Sequence, residues 1–121
     1  MSTLRHLKWS DLGWEQMNPL LERQFISTEG LTVGRFALKK GCVVPRHQHE
    51  NEQVAMVLEG ALKFGIDDRE VVVRAGEALC IPPNLPHSAE ALEDTWVMDI
   101  FAPPRADWAQ QADGYLRGKK K

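Results

Sequence analysis

Gly41-Cys-Val-Val-Pro-Arg-His47-Gln-His49-Glu-Asn-Glu-Gln53, followed by Gly76-Glu-Ala-Leu-Cys-Ile-Pro82-Pro-Asn84-Leu-Pro-His87, is the stretch that decides the fold. These two blocks hold three of the chain's four histidines. On a strand, side chains two apart point to one face, so His47 and His49 project together. Gln53 opens the next strand and shares a face with Ala55 and Val57. Glu50 and Glu52 lie close by, but Glu52 points away from Gln53's face if the strand begins there. His87 supplies a fourth group from a distant strand. Imidazoles suit Zn, Fe, Ni, Cu and Mn, and a glutamine oxygen adds a hard neutral ligand. A His-x-His pair alone reads more readily as surface or core histidines than as ligands; the framing of the two blocks is what gives it weight.

Working outward, short apolar runs alternate with turn signals. Residues 21–26 and 31–38 read as strands split by Thr28-Glu29-Gly30, and 53–58 as a strand closed by Glu59-Gly60. Residues 62–66 and 70–73 form a hairpin around Asp67-Asp68, and strands follow over 78–81, 87–92 and 95–101. Many short strands at this spacing mean an all-β sandwich or barrel. Pro82, Pro83 and Pro86 bracket a loop that a central strand or helix would not absorb. Beyond Pro103-Pro104 the period changes: Trp108, Gln111-Ala112 and Tyr115 fall at helical spacing. We expect one domain over 1–121, with a barrel core over about 20–103 and a C-terminal helix over about 105–116 whose aromatics pack on the barrel.

The formal net charge of −2 argues against nucleic acid or an anionic membrane as partner. The start, Met1-Ser-Thr-Leu-Arg-His, has no apolar leader and no stretch approaches a membrane span, so a cytoplasmic location is expected. Cys42 and Cys80 match no disulfide or zinc-ribbon spacing and read as reduced, buried thiols. His6 reads as a surface residue, Arg46 as solvent-facing, and Arg35 as facing either pocket or solvent. Tyr115, the only tyrosine, lies in the tail, which argues against a Cys–Tyr pair beside the barrel. The Lys119–Lys121 run is assigned no function.

The two blocks resemble the signature motifs of the cupin family, Gly-x5-His-x-His-x3-4-Glu-x6-Gly and Gly-x5-Pro-x-Gly-x2-His-x3-Asn. Gly41, His47, His49, position 53 and Gly60 match the first, and Gly76, Pro82 and His87 the second. The resemblance implies a cupin double-stranded β-helix, a jelly-roll barrel. It also implies one divalent transition metal ion (Ni, Zn, Mn or Fe) held by His47, His49, Gln53 and His87. Three positions depart from the pattern. Gln53 replaces the glutamate, so every ligand is neutral and the ion keeps its full charge, a stronger Lewis acid held less tightly. Asn84 replaces a glycine and tolerates the positive φ, and Ala91 replaces the last asparagine. Cupins commonly pair through edge strands, so a homodimer is expected.

A second feature lies in the last strand, where Val97, Asp99 and Phe101 share one face and Trp96, Met98 and Ile100 the other. Burying an aspartate there is costly without a partner. Either it pairs with an arginine or a backbone amide, or it is aimed into the barrel as a general base. From about Leu31 to Arg105 the chain resembles the small cupins of the KdgF type, which linearise 4,5-unsaturated uronate monosaccharides to 5-keto-4-deoxyuronate in pectin and alginate breakdown. The resemblance implies Asp99 as catalytic base, Phe101 against the sugar ring, and Arg105 in a two-pronged contact with the uronate carboxylate. Two other functions stay open, a metal-dependent cupin dioxygenase and a non-catalytic cupin that binds a small molecule.

Overall fold

The computed structural model describes residues 3–117. The Lys119–Lys121 run lies outside them. Among the described residues the strands are β1 (Glu15–Asn18), β2 (Leu21–Ser27), β3 (Thr32–Leu38), β4 (Val43–His47), β5 (Glu52–Glu59), β6 (Ala61–Ile66), β7 (Arg69–Arg74), β8 (Ala78–Ile81), β9 (His87–Ala91) and β10 (Thr95–Ala102), followed by the short helix α1 (Ala106–Ala109). They form a six-stranded sheet in the order β1-β2-β3-β10-β5-β8 and a four-stranded sheet in the order β4-β9-β6-β7. Every pairing is antiparallel. The result is all-β, as the turn spacing predicts, and takes the jelly-roll form that the family resemblance implies.

Period-two alternation builds the core. In β3, Thr32, Gly34, Phe36 and Leu38 are buried while the residues between them are half-exposed. In β10 the buried set is Thr95, Val97, Asp99 and Phe101, and in β5 it is Gln53, Ala55 and Val57. These faces meet Leu62, Phe64, Ala89 and Ala91 of the smaller sheet in one apolar cluster. Burying each large apolar side chain there contributes roughly 1.5–3 kcal/mol. Arg35 falls on the outer face, where its guanidinium lies 5.0 Å from the Trp9 ring and 5.4 Å from Trp96. Gly60 turns β5 into β6 with φ +87°, and a Cβ there would stand 2.4 Å from the Asp94 carbonyl.

Two strands carry no mark in the sequence pattern, β1 and β4. β4 is an edge strand with a register shift between Val44 and His47. Its Val43, Pro45 and Arg46 are all exposed, so alternation is absent and the proline is tolerated. Because β4 ends at His47, His49 belongs to the following loop and not to the same strand. Cys80 corrects a second expectation. It is exposed, since Leu79 and Ile81 of edge strand β8 take the inward positions; Cys42 alone is buried.

The C-terminal helix is also shorter than expected. It covers Ala106–Ala109 and not the span to 116. The chain leaves the helix at Gln111, whose φ is +56°. It is then drawn down by Asp113, wholly buried against Arg23 at 2.7 Å. Trp108, 2% exposed, packs against Gly34, where a Cβ would come within 3.0 Å of the indole. No helix among the described residues is long and apolar enough to cross a membrane.

Candidate metal centre

Strand register brings the sequence-marked residues to one place between the sheets. His47 and His87 are cross-strand partners on β4 and β9. On the larger sheet, Phe101 of β10 pairs with Gln53 of β5, and Asp99 with Ala55. His49 is held in its loop by the Asn84 N–H, which donates to its carbonyl at 2.8 Å. Asn84 adopts φ +63°, as its place in the glycine position of the motif requires. The imidazole centroids of His47 and His87 lie 4.4 Å apart, and His49 is 5.5 Å from the first and 5.1 Å from the second.

The hydrogen bonds fix each ring's tautomer. Nδ1 of His47, His49 and His87 faces the carbonyl oxygen of Pro45, Asn51 and Leu85 at 2.8, 3.0 and 2.8 Å respectively. A carbonyl only accepts, so each Nδ1 carries the proton and donates it. Burial holds His47 down at about 3 and His49 at about 4, and lowers His87 as well. All three rings are therefore neutral near pH 7, with a lone pair on Nε2. The Nε2 of His87 is buried with no partner. The candidate ligand atoms of the three histidines lie within 4.8 Å of one another.

Gln53 adjoins the three histidines. Its Nε2 donates to Asp99 Oδ1 at 3.0 Å, which turns its Oε1 toward His49 Nε2 at 3.2 Å. With Nδ1 of His49 protonated, that last contact sets two acceptors face to face. A cation resolves it: bonds of roughly 2.0–2.2 Å to imidazole nitrogen and carboxylate-type oxygen span such separations. An orphaned buried lone pair, two opposed acceptors and three backbone-oriented imidazoles fit a divalent metal ion. Glu52, one residue away, is exposed.

Asp99 lies beside this set, 7% exposed. Burial pushes its carboxyl up to about 7, against the Gln53 hydrogen bond and the Arg105 charge. Arg105, 2% exposed, lies over the Phe101 ring at 4.7 Å. Its Nε and Nη2 donate to Asp107 at 2.8 and 2.5 Å, and Nη2 also donates to Tyr115 Oη at 2.8 Å. The planar fork expected to meet a substrate is thus engaged by the protein's own carboxylate; Nη1 makes none of these bonds. His47, Gln53, His87, Asp99, Phe101, Arg105 and Tyr115 all line one cavity of about 60 Å³ whose remaining walls are apolar.

Tyr115 is the residue that sequence reasoning placed elsewhere. Its ring stacks on His47, centroids 4.4 Å apart and planes 28° apart. Helical spacing pointed it at the barrel wall; the break at Gln111 redirects it into the cavity. Asp107 and Asn51 were also missed. Asn51 donates through Nδ2 to the carbonyls of Pro103 and Pro104, while its own carbonyl orients His49. An asparagine between two glutamates near the first histidine pair gives little local sign of that task.

The cupin domain profile matches residues 34–102, more than half of the chain. The chain belongs to the cupin family. Among solved structures, this cupin is similar to KdgF from Halomonas sp., with 28% identity over 88% of this chain and 99% of that one, at a TM-score of 0.82. It is similar also to an RmlC-like cupin from Shewanella frigidimarina NCIMB 400, with 25% identity over 88% and 97% of the chains and a TM-score of 0.81. The Bacillus subtilis oxalate decarboxylase, which has Mn(II) centres, shares the fold at 23% identity and a TM-score of 0.72, over 83% of this chain and 30% of that one. No curated protein matches.

Proposed function

We propose that this cupin is a metal-dependent enzyme that opens the ring of 4,5-unsaturated uronate sugars to 5-keto-4-deoxyuronate. The observation that carries the reading is Gln53, which offers its oxygen to the histidine cluster and its N–H to Asp99. One side chain thereby ties a metal-ligating set to a buried carboxylate whose pKa of about 7 suits a general base. The likeness to the Halomonas KdgF along nearly its whole length supports the same reading.

His47, His49 and His87 through Nε2, and Gln53 through Oε1, would hold one divalent ion, with Ni, Zn, Mn and Fe all suited to such ligands. When bound, the ion supplies Lewis-acid stabilisation of negative charge that develops on the substrate. The substrate is a cyclic hemiacetal and an enol ether at once. Asp99 takes the proton of the anomeric hydroxyl. A C=O bond forms at C1, the bond from C1 to the ring oxygen breaks, and the released pair spreads over that oxygen and C4. Protonation at C4 then leaves a ketone at C5. Atoms and electrons balance without an oxidant. Arg105 binds the uronate carboxylate through Nη1, with Asp107 fixing the guanidinium plane. Phe101 packs on the sugar.

The test follows the ultraviolet absorbance of the C4=C5 bond in unsaturated galacturonate. The protein is expected to accelerate its decay over buffer, and Asp99→Ala to lose that acceleration. Decay at the buffer rate with ion-loaded wild-type protein would remove the reading.

A further inference from the structure

We propose that Tyr115 is a positioning residue of the centre, bracing the His47 imidazole with its ring and the Arg105 guanidinium with its hydroxyl. The ring lies stacked on His47, and the hydroxyl accepts from Arg105 Nη2 at 2.8 Å. His47 needs such a brace more than its neighbours do. It sits at the end of a bulged edge strand whose Val43, Pro45 and Arg46 face solvent, whereas His87 is buried on β9 between β4 and β6 and His49 packs on Phe101; each of the three rings has only a carbonyl two residues away as its backbone partner. A single short-range bond sets the tautomer but leaves the ring free to tilt; a stacked aromatic removes that freedom.

The chain invests in holding Tyr115 there. Asp113 accepts from Arg23 at 2.7 Å and from Arg117 at 2.8 Å. Glu15 accepts from the same two arginines at 2.8 and 2.7 Å. These four side chains close a ring of alternating charge around the segment that carries Tyr115. Asn18 adds a bond from Nδ2 to the Leu116 carbonyl at 2.8 Å. Leu116, 4% exposed, anchors the same segment in the apolar core. The clamp is built from β1 and β2, far in sequence from the histidine blocks, and its product is one phenol inside the cavity.

Tyr115→Phe keeps the ring and removes the hydroxyl, whereas Tyr115→Met and Tyr115→Leu remove both; whichever of the last two melts above the assay temperature carries the comparison. Titration of ion-free protein with Co²⁺, read by its d–d absorbance, is expected to give wild-type affinity for Tyr115→Phe. The ring-less variant should bind roughly 10–100-fold more weakly, with an altered band shape. In the wild type, 3-fluorotyrosine incorporation gives one ¹⁹F resonance, because Tyr115 is the only tyrosine. That resonance should shift on addition of one equivalent of Co²⁺. Unchanged Co²⁺ affinity in the ring-less variant, equal losses in all the variants, or a ¹⁹F resonance that ignores Co²⁺ would each overturn the proposal. None of these measurements uses a sugar. The hydroxyl half rests on the uronate reading: in Tyr115→Phe, KM for unsaturated galacturonate should rise about tenfold with kcat within about twofold, and a loss confined to kcat would overturn that half. Failure of the uronate reading itself shows separately, as absent turnover in wild type with the Co²⁺ results intact.

Discussion

Asp99→Asn is expected to stabilise the ion-free protein at alkaline pH while removing its activity. Burial raises the Asp99 carboxyl from 3.8 to about 7. Between those values the folded chain holds a proton that the unfolded chain has released, so this group's effect on stability is nil below about pH 4. As pH rises the folded state loses ground, and the full penalty is present above about pH 7. A shift of about three pH units corresponds to roughly 4 kcal/mol. Asparagine keeps the oxygen that accepts from Gln53, so that bond survives. Its new N–H₂ group, however, is buried without a partner, which costs about 1–3 kcal/mol. The charge effect is the larger, and the variant should exceed wild type by about 2 kcal/mol near pH 8, with the order reversed near pH 4 to 5. Urea unfolding of EDTA-treated proteins at both pH values reads the difference directly. Turnover of unsaturated galacturonate should fall about 10²–10⁴-fold, the usual worth of a general base. A stability difference that does not change with pH, or retained turnover, refutes the reasoning.

The charge ring, the packing beneath it and the Gln53 contact give four more predictions. Asp113→Asn leaves Arg23, 1% exposed, with only Glu15; breaking such a buried pair should cost about 3 kcal/mol and roughly 10 °C in Tm, measured by thermal unfolding. For Asp113, burial pushes the carboxyl up, but the hydrogen bonds from Arg117 and Arg23 outweigh it, and Glu15 is held low chiefly by Arg117. The clamp's contribution is therefore full above the unfolded carboxyl pKa values near 4 and fades as pH falls through the lower folded values; amide protection in the C-terminal segment, taken relative to the intrinsic exchange rate at each pH, should fall on acidification and not on moderate alkalinisation. Gly34→Ala drives a methyl to within 3.0 Å of the Trp108 ring, and should destabilise by about 1–3 kcal/mol with a shifted tryptophan emission. Gln53→Glu sets a second carboxylate against Asp99 in place of a donor at 3.0 Å; a chelator competition should show tighter Ni²⁺ retention, and turnover should drop.

Much of the barrel is legible in the sequence because its inward faces alternate cleanly. Residues 32–38 and 95–101 carry their burial in a strict period of two. Gly41, Gly60 and Gly76 all take positive φ where the motifs place them. Legibility fails where an edge strand has no inward face, as at Val43–His47, and where long-range charge sets the path, as at Asp113. The helix pattern over 105–116 was a true amphipathic signal in Trp108, yet Arg23, about ninety residues earlier, is what pulls the chain out of the helix. The histidines and Gln53 could be singled out through the motif resemblance, in spite of the bulged edge strand that ends at His47 and the loop that carries His49. Tyr115 could not, because its position depends on four charged side chains meeting in space. Arg105 was legible as a pocket residue but not as one already paired with Asp107, two residues on.

The most direct test of the central claim is an NMR analysis of the products formed from 4,5-unsaturated galacturonate in D₂O by the ion-loaded protein, with dissolved oxygen monitored in the same vessel. Ring opening by Asp99 predicts a ketone at C5, deuterium at C4, and no oxygen consumed. An unchanged sugar, or a cleaved and oxygenated product formed with stoichiometric loss of oxygen, would contradict it.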